Sequence, residues 1–416
     1  MERYPGYRES RTGWLGKIPS HWQLRRISAL YDARNEKVSD QDYPPLSVTM
    51  QGIVPQLETA AKTQDGDNRK LVKAGDFVIN SRSDRRGACG ISAYDGSVTL
   101  ISNVLAPKDR SSMSTRYYSY LFRCEGFADE FYRQGTGIVD DLWSTNWSRM
   151  KNILVSRPPL TEQEHIADYL DDKTAEIDAL VADCEREVEL VQEYRKSVIS
   201  EAVTKGLDLD APMKDSGIEW IGEIPASWTV SKVKYSFVNR DAARVPIEAS
   251  LRDQSASVLY PYYGASGIVD YISDYIFDEE LLLIGEDGAN LRLRNLPLVY
   301  AASGKYWVNN HSHILQPKTG IDYWYAFYQL ELVDLENYLT GSTQPKLTAE
   351  NLGLIPFAAP SLEEQRAIAA YLDAKTTEID SLIEAKQTII DKLREYRRSL
   401  ISEAVTGKFK VPGADD

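Results

Sequence analysis

This chain of 416 residues is poor in cysteine: there are three, Cys89, Cys124 and Cys184, widely spaced and odd in number. That excludes a disulfide framework and fits buried thiols in a reducing cytoplasm. No run of 18 apolar residues occurs, so no membrane span is expected. The opening Met1-Glu2-Arg3-Tyr4-Pro5 lacks the apolar core of a signal peptide. There is no Gly-x-Gly-x-x-Gly fingerprint and no phosphate loop. No Asn-Pro-Pro-Tyr or Asp-Pro-Pro-Tyr methyltransferase motif is found either. These absences argue against an enzyme acting alone. His311 and His313 would share one face of a strand. With no cysteine or third histidine nearby, no metal site is expected. Glu384-Ala385-Lys386 imitates the tail of a nuclease motif, but it falls in a heptad helix and reads as a solvated face.

What is present is present twice. Trp14-Leu15-Gly16-Lys17-Ile18-Pro19-Ser20-His21-Trp22 returns as Trp220-Ile221-Gly222-Glu223-Ile224-Pro225-Ala226-Ser227-Trp228, 206 residues later. Ile166-Ala167-Asp168-Tyr169-Leu170-Asp171 and Glu193-Tyr194-Arg195-Lys196-Ser197 return 202 residues later, around Ile368 and Glu395. Between these flanks, residues 23–145 and 229–345 share almost nothing that aligns. One frame around two unlike inserts suggests one scaffold presenting two different readers.

Each repeat ends in a long predicted helix. Thr161-x-x-Glu164 and Ser361-x-x-Glu364 read as capping boxes after Pro158-Pro159 and Pro360. Gly206 and Gly407 are the expected C-terminal stops. About 44 uninterrupted residues at 1.5 Å each make roughly 65 Å of helix. The heptad seam runs through Leu170, Ile177, Cys184, Val191 and Val198, with Val181 and Val188 between. In the second copy it runs through Leu372, Ile379, Leu393 and Leu400, with Ile383 and Ile390 between; Lys386 replaces an apolar residue. The simplest packing is mutual and antiparallel. The alternative is that each helix packs separately on its own insert.

The inserts read as mixed α/β domains. Asp76-Phe77-Val78-Ile79, Ser97 to Ile101, and Leu281 to Ile284 look like strands. Aromatic helical stretches, Arg116 to Gln134 and Asp322 to Leu339, precede the glycine turns Gly135-Thr136-Gly137 and Gly341-Ser342-Thr343, so a shared fold is expected. The net charge of −14 is unevenly spread. Residues 1–157 carry 23 Lys/Arg against 18 Asp/Glu, whereas residues 158–208 carry 5 against 14 and residues 209–358 carry 11 against 19. The acid of the first helix can face solvent or a basic partner; the acidic second insert opposes a DNA-binding reading.

Taken together, in order and in duplicate, these motifs resemble the specificity subunit of type I restriction-modification systems. The resemblance covers nearly the whole chain. It rests on the paired Trp-Leu/Ile-Gly-x-Ile-Pro-x-x-Trp segments and the Ile-Ala-x-Tyr-Leu-Asp helix starts. Tyr262-Tyr263-Gly264-Ala265-Ser266-Gly267 and Gly341-Ser342-Thr343-Gln344-Pro345-Lys346-Leu347 add to it. The first insert has no close Tyr-Tyr-Gly-Ala-Ser-Gly counterpart. The resemblance implies an α+β fold: two mixed α/β target recognition domains separated by two long antiparallel coiled-coil helices, with an internal pseudo-twofold repeat. The domains would span 1–158 and 207–358, the helices 159–206 and 359–406, and a tail 407–416. Each domain would read half of a bipartite target in double-stranded DNA, with the helices setting the spacer. Two methyltransferase subunits and, in the full complex, two motor-nuclease subunits would be the partners. S-adenosylmethionine, ATP and magnesium would belong to those partners. This chain would be non-catalytic, cytoplasmic and not bound to membrane.

DNA contacts are then the chemistry left to locate. Asn80, Ser81, Arg82, Arg85 and Arg86 combine arginines with small polar residues in one loop, suited to guanine edges or phosphates; a solvated basic loop is the other reading. In the second insert the main cations are Arg292, Arg294 and Lys305, with Tyr262, Tyr263, Gln344 and Lys346 in loops. The two tyrosines fit core positions equally well. Two alternatives of function stand beside this one: a methylation-only complex, and a coiled-coil scaffold that never touches DNA.

Overall fold

The computed structural model describes residues 2–57, 66–82, 87–137, 143–248, 258–341 and 343–413. Contacts divide the chain into two units, Met1–Glu185 with Gln387–Asp416, and Arg186–Lys386.

Each unit is built on a four-stranded antiparallel sheet of the same order. In the first it runs Cys89–Ile91, Phe77–Asn80, Ser102–Pro107, Tyr31–Ala33. In the second it runs Val299–Ala302, Leu281–Gly285, Ser312–Pro317, Phe237–Asn239. The registers correspond residue by residue. Leu105 faces Ala33 and Phe77, as Leu315 faces Asn239 and Leu282. Ser102 faces Asn80, as Ser312 faces Gly285.

The strand Leu281–Gly285 is apolar without alternation because both faces are covered. Successive side chains point to opposite faces. Leu282 and Ile284 join a core with Trp228, Tyr325 and Phe357, while Leu281 and Leu283 join one with Phe277 and Tyr306. Phe77 and Ile79 likewise enter the main core of the first unit, and Val78 enters a smaller one. Truncating one such leucine to alanine costs about 2–5 kcal/mol.

The aromatic stretches form a helix pair and a single helix. Thr115–Arg123 and Glu125–Arg133 are separate because Cys124 is extended, and Tyr323–Glu331 stands alone before a short 3-10 turn. Their docking is repeated. Gln163 Oε1 accepts from Ser114 N at 2.9 Å, as Gln365 Oε1 accepts from Asp322 N at 2.8 Å. Two strand expectations shift: the segment at Ser97 is the strand Gly96–Val98 followed by a turn. His311 precedes the strand Ser312–Pro317, so it does not share a strand face with His313.

The long helices are Leu160–Lys205 and Leu362–Val405. Ser361 caps the second, its Oγ accepting from Glu364 N at 3.2 Å. The carboxylate of Glu364 does not complete a capping box; it accepts from Trp228 Nε1 at 2.9 Å. Thr161 is not a cap at all. The first helix starts at Leu160, and the Pro159 carbonyl already accepts from Gln163 N at 3.0 Å. Gly206 and Gly407 end the helices with φ of +75° and +69°, a conformation that favours glycine.

Pairing of the two helices is antiparallel within each unit. In the first unit Asp178 meets Arg397 at 2.8 Å and Glu185 meets Arg394 at 2.6 Å. In the second, Arg195 meets Asp380 at 3.3 Å, and Lys386 meets Glu187. An advance along one helix is a retreat along the other. Leu170, Ile177, Leu372, Ile379 and Ile390 are buried. Val181, Cys184, Val188, Val191, Ile383 and Leu393 are half-buried. Separate packing of each helix on its own insert is ruled out: Val198, Ile199 and Ala202 lie in the second unit's core, and Leu400 and Ala404 in the first's.

Candidate nucleic-acid interface

In both units the chain leaves its central strand and meets a hairpin that follows the glycine turn. Past Asn80, the Ser81 carbonyl accepts from Thr145 N at 2.9 Å, and Arg82 bridges Ser144, which also bridges Thr136. Past Gly285, the Glu286 carbonyl accepts from Leu347 N at 2.8 Å, and Asp287 bridges Lys346, which also pairs with Thr340. A third contact repeats. Asn103 Nδ2 donates to the Thr145 carbonyl at 2.9 Å, and His313 Nε2 donates to the Leu347 carbonyl at 2.8 Å. Asn103 and His313 occupy the same register position. The Asn80–Arg82 and Gly285–Asp287 segments are therefore topological counterparts.

A hairpin flanks each junction. Leu46–Thr49 with Gly52–Pro55 lies over Gly90; Tyr260–Gly264 with Gly267–Ile272 lies against Tyr300, the counterpart of Gly90. The Tyr-Tyr-Gly-Ala-Ser-Gly segment thus has a structural counterpart that its sequence hides. Gly285 must lack a side chain, because a Cβ there would stand 2.7 Å from the Ala265 carbonyl.

In the first junction, Asn80 Oδ1 accepts from Arg82 N at 3.0 Å, and buried Ser81 Oγ donates to the Ile101 carbonyl at 2.5 Å. Trp143 stacks on Tyr132 at 5.5 Å and donates Nε1 to the Tyr132 carbonyl. Asn80 and Ser81 shape the backbone, and Arg82 is exposed. Arg85 and Arg86 lie outside the described residues. Beyond Gly87 runs a cleft of about 680 Å³ lined by Arg116, Arg123, Arg397 and Arg398. Arg116 is tied there to Asp168 and Asp171, which hold its pKa above the ordinary value.

The second junction is a charge network. Glu286 takes Arg244 at 2.5 Å and Lys346 at 3.1 Å. Burial pushes the Glu286 carboxyl up, but these two partners hold it below its ordinary range. His313 is 1% exposed and places Nδ1 2.6 Å from Asp241 Oδ2. A carbonyl only accepts, so His313 Nε2 carries hydrogen. Burial pushes Asp241 up, while His313, Asn239 and the Ile314 amide together hold it down. Exposed His311 places Nδ1 2.8 Å from Asp287 Oδ2.

The remaining candidates are dispersed. Gln344 is exposed on the hairpin turn beside Lys346. Tyr262 is 1% exposed and its hydroxyl accepts from Ile247 N, so it is a core residue. Tyr263 is half-buried, edge-on to Tyr306, and its carbonyl accepts from Asn309 N. Arg292 pairs with Glu336 at 3.3 Å. Arg294 donates to the Glu331 carbonyl at 2.5 Å, and burial lowers its pKa; its work is structural. Lys305 lies 4.5 Å over the Tyr275 ring. Sequence reasoning missed Arg244, Glu286, Asp287, Ser144 and Trp143, and weighed His311 only as a metal ligand. The compact Gly285-Glu286-Asp287-Gly288 stretch, polar directly after an apolar strand, was the available signal.

The profile of the type I restriction modification DNA specificity domain matches residues 233–394. A putative type I restriction enzyme specificity subunit of Haemophilus influenzae is 37% identical over 134 residues, 32% of this chain and 34% of that one. The chain thus spans about a third of that relative. The putative type I restriction enzyme MjaX specificity subunit of Methanocaldococcus jannaschii is 24% identical over 95% of this chain and 96% of its own. Among solved structures, a chain from work on complex assembly and conformational transition of the type I R-M system superposes with a TM-score of 0.67. It covers 93% of this chain and 98% of its own at 14% identity, a likeness of fold. Residues 233–394 thus carry a type I restriction modification DNA specificity domain, and the chain along nearly its whole length is similar to type I restriction enzyme specificity subunits.

Proposed function

We propose that this chain is the non-catalytic DNA-recognition subunit of a cytoplasmic restriction-modification complex, each insert domain reading one half of a bipartite target. The observation that carries the reading is the paired junction. The same backbone contacts recur in both units around unlike polar side chains, Arg82 with Ser144 and Asp287 with Lys346. A constant skeleton with variable polar groups is what reading two different half-sites requires.

The two helices act as a coiled-coil ruler and as the dock for two methyltransferase subunits. Domain bounds of 1–158 and 207–358, with helices at 159–206 and 359–406, suit this division. Among the described residues no helix is long and apolar enough to cross a membrane. Methyl transfer, with S-adenosylmethionine, belongs to the docked subunits; ATP-driven translocation and cleavage belong to motor-nuclease subunits where these are present. A methylation-only complex would use this chain in the same way. The acidic second insert is the one feature that favours a scaffold without DNA.

The test is DNA binding by the complex of this chain with its methyltransferase subunits, across a salt series. Phosphate contacts give a log-log slope of about −0.9 per neutralised phosphate. Specific binding with a steep slope is the expected result; binding to no duplex at any salt would establish the scaffold. The ruler is tested by inserting seven residues after Cys184, which keeps the heptad phase and adds about 10 Å. At about 3.4 Å per base pair, the preferred spacer should grow by at most about 3 base pairs. A folded variant that keeps the original spacer would remove the ruler from this reading.

A further inference from the structure

We propose that Asp287 is a specificity-determining residue of the second unit, accepting a hydrogen bond from the exocyclic amino group of a cytosine. This rests on the reading above, that the junctions face DNA, and adds a base to it.

The strand pairing, the hairpin amide and the side-chain clasp on the hairpin carbonyl all align Arg82 with Asp287. At one topological position, one unit carries a side chain that only donates and the other a side chain that only accepts. The neighbouring carboxylate, Glu286, is occupied by Arg244 and Lys346 and is only 14% exposed. Asp287 is 23% exposed, and His311 is its partner at 2.8 Å. An ionised carboxylate has about four acceptor sites, so the His311 bond leaves Asp287 capacity to accept another. That bond also orients it, and Gly288, at φ +107°, shapes the turn that follows.

A carboxylate near a duplex is repelled by phosphates and is tolerated only where it meets a donor. Cytosine shows its N4 amino group in the major groove with no acceptor of its own beside it; the nearest acceptor is O6 of the paired guanine. Adenine shows N6 next to the N7 acceptor, which would repel a carboxylate, and guanine and thymine show acceptors. The arginine of the first unit has the opposite preference, for the O6 and N7 acceptors of guanine. The two domains therefore read with opposite hydrogen-bond polarity, and the acidity of the second insert belongs to its readout.

The experiment uses the full chain in complex with its methyltransferase subunits and a duplex library randomised over both half-sites. Asp287→Ala should abolish a cytosine preference at one position of one half-site, by a factor of about 5–150, and leave the other half-site unchanged. Retained selection at that other half-site shows that the chain is folded. Asp287→Asn keeps the shape and adds an amide donor, so its preference should move from cytosine to adenine. If Asp287→Ala disables the whole second unit, the Asn variant decides. Unchanged preferences in both variants, or loss of selection for any base other than cytosine, would overturn the proposal. Lys346→Ala, run alongside, separates the two levels. If it weakens binding while both Asp287 variants keep every preference, only the base assignment falls. If Lys346→Ala and Arg82→Ala both leave affinity and salt slope unchanged, the junction is not the interface.

Discussion

The two strand-exit junctions share a hydrogen-bond skeleton and almost no chemistry. In the first unit the hairpin carbonyl is clasped by the neutral amide of Asn103, and the surroundings are hydroxyls and a stacked tryptophan. In the second it is clasped by His313, itself held by Asp241, within a network of Arg244, Glu286 and Lys346. The difference teaches that the geometry is carried by sheet register and one side-chain-to-carbonyl bond. The identity of the clasp and of the groups around it is then free to vary between domains.

The comparison breaks most visibly in stability. Asp241→Ala leaves buried His313 without its carboxylate and should cost roughly 3–5 kcal/mol. Asn103→Ala, which strands only a carbonyl, should cost about 1–3 kcal/mol. Denaturant unfolding with a separate probe in each unit checks both. Equal costs would mean that the carboxylate-held imidazole clasp is no more demanding than the amide one.

Acid sharpens the same contrast. Asp241 and Glu286 are held below their ordinary range in the folded state. Their contribution is therefore complete above the unfolded carboxylate value of about 4 and is lost as pH falls through the lower folded values. The second unit should lose stability below about pH 4, and Asp241→Asn should flatten that loss. Among the described residues the junction of the first unit has no such carboxylate pair, and Asn103→Ala should leave acid sensitivity unchanged. Melting temperature against pH for the three chains measures this.

The smallest effects belong to the helix pair. Asp178 with Arg397 and Asp380 with Arg195 are equivalent across the repeat, and all four side chains are at least one-third exposed. Double-mutant cycles should give about 0–1 kcal/mol for each. A larger coupling in one unit alone would show that the helix ends are not equivalent.

How much of this was legible in the sequence follows from where information is stored. The long helices and the buried strand at Leu281 came from periodicity and run length, which depend only on local sequence. A shared fold is legible in the paired aromatic stretches and glycine turns, yet the sheet order and its register are not. Phe77 and Leu282 differ in kind, and only pairing equates them. Thr161 failed as a cap because the helix could begin one residue earlier at no cost in hydrogen bonds. Site residues were the least legible. Arg294 has the composition of a contact residue, but the carbonyls of Glu331 and Val333 claim it. Asp287 is not legible as a candidate, because a lone acid does not look like a DNA contact until register pairs it with Arg82.

The central claim is that each unit reads its half-site through its own junction. The direct measurement is sequencing of the sites methylated by the reconstituted complex in a library with both half-sites randomised. Arg82→Ala should relax one position, by about 1–3 kcal/mol, in one half-site only, and Lys346→Ala should weaken use of the other half-site only. A variant that alters both halves together, or neither, would contradict the account.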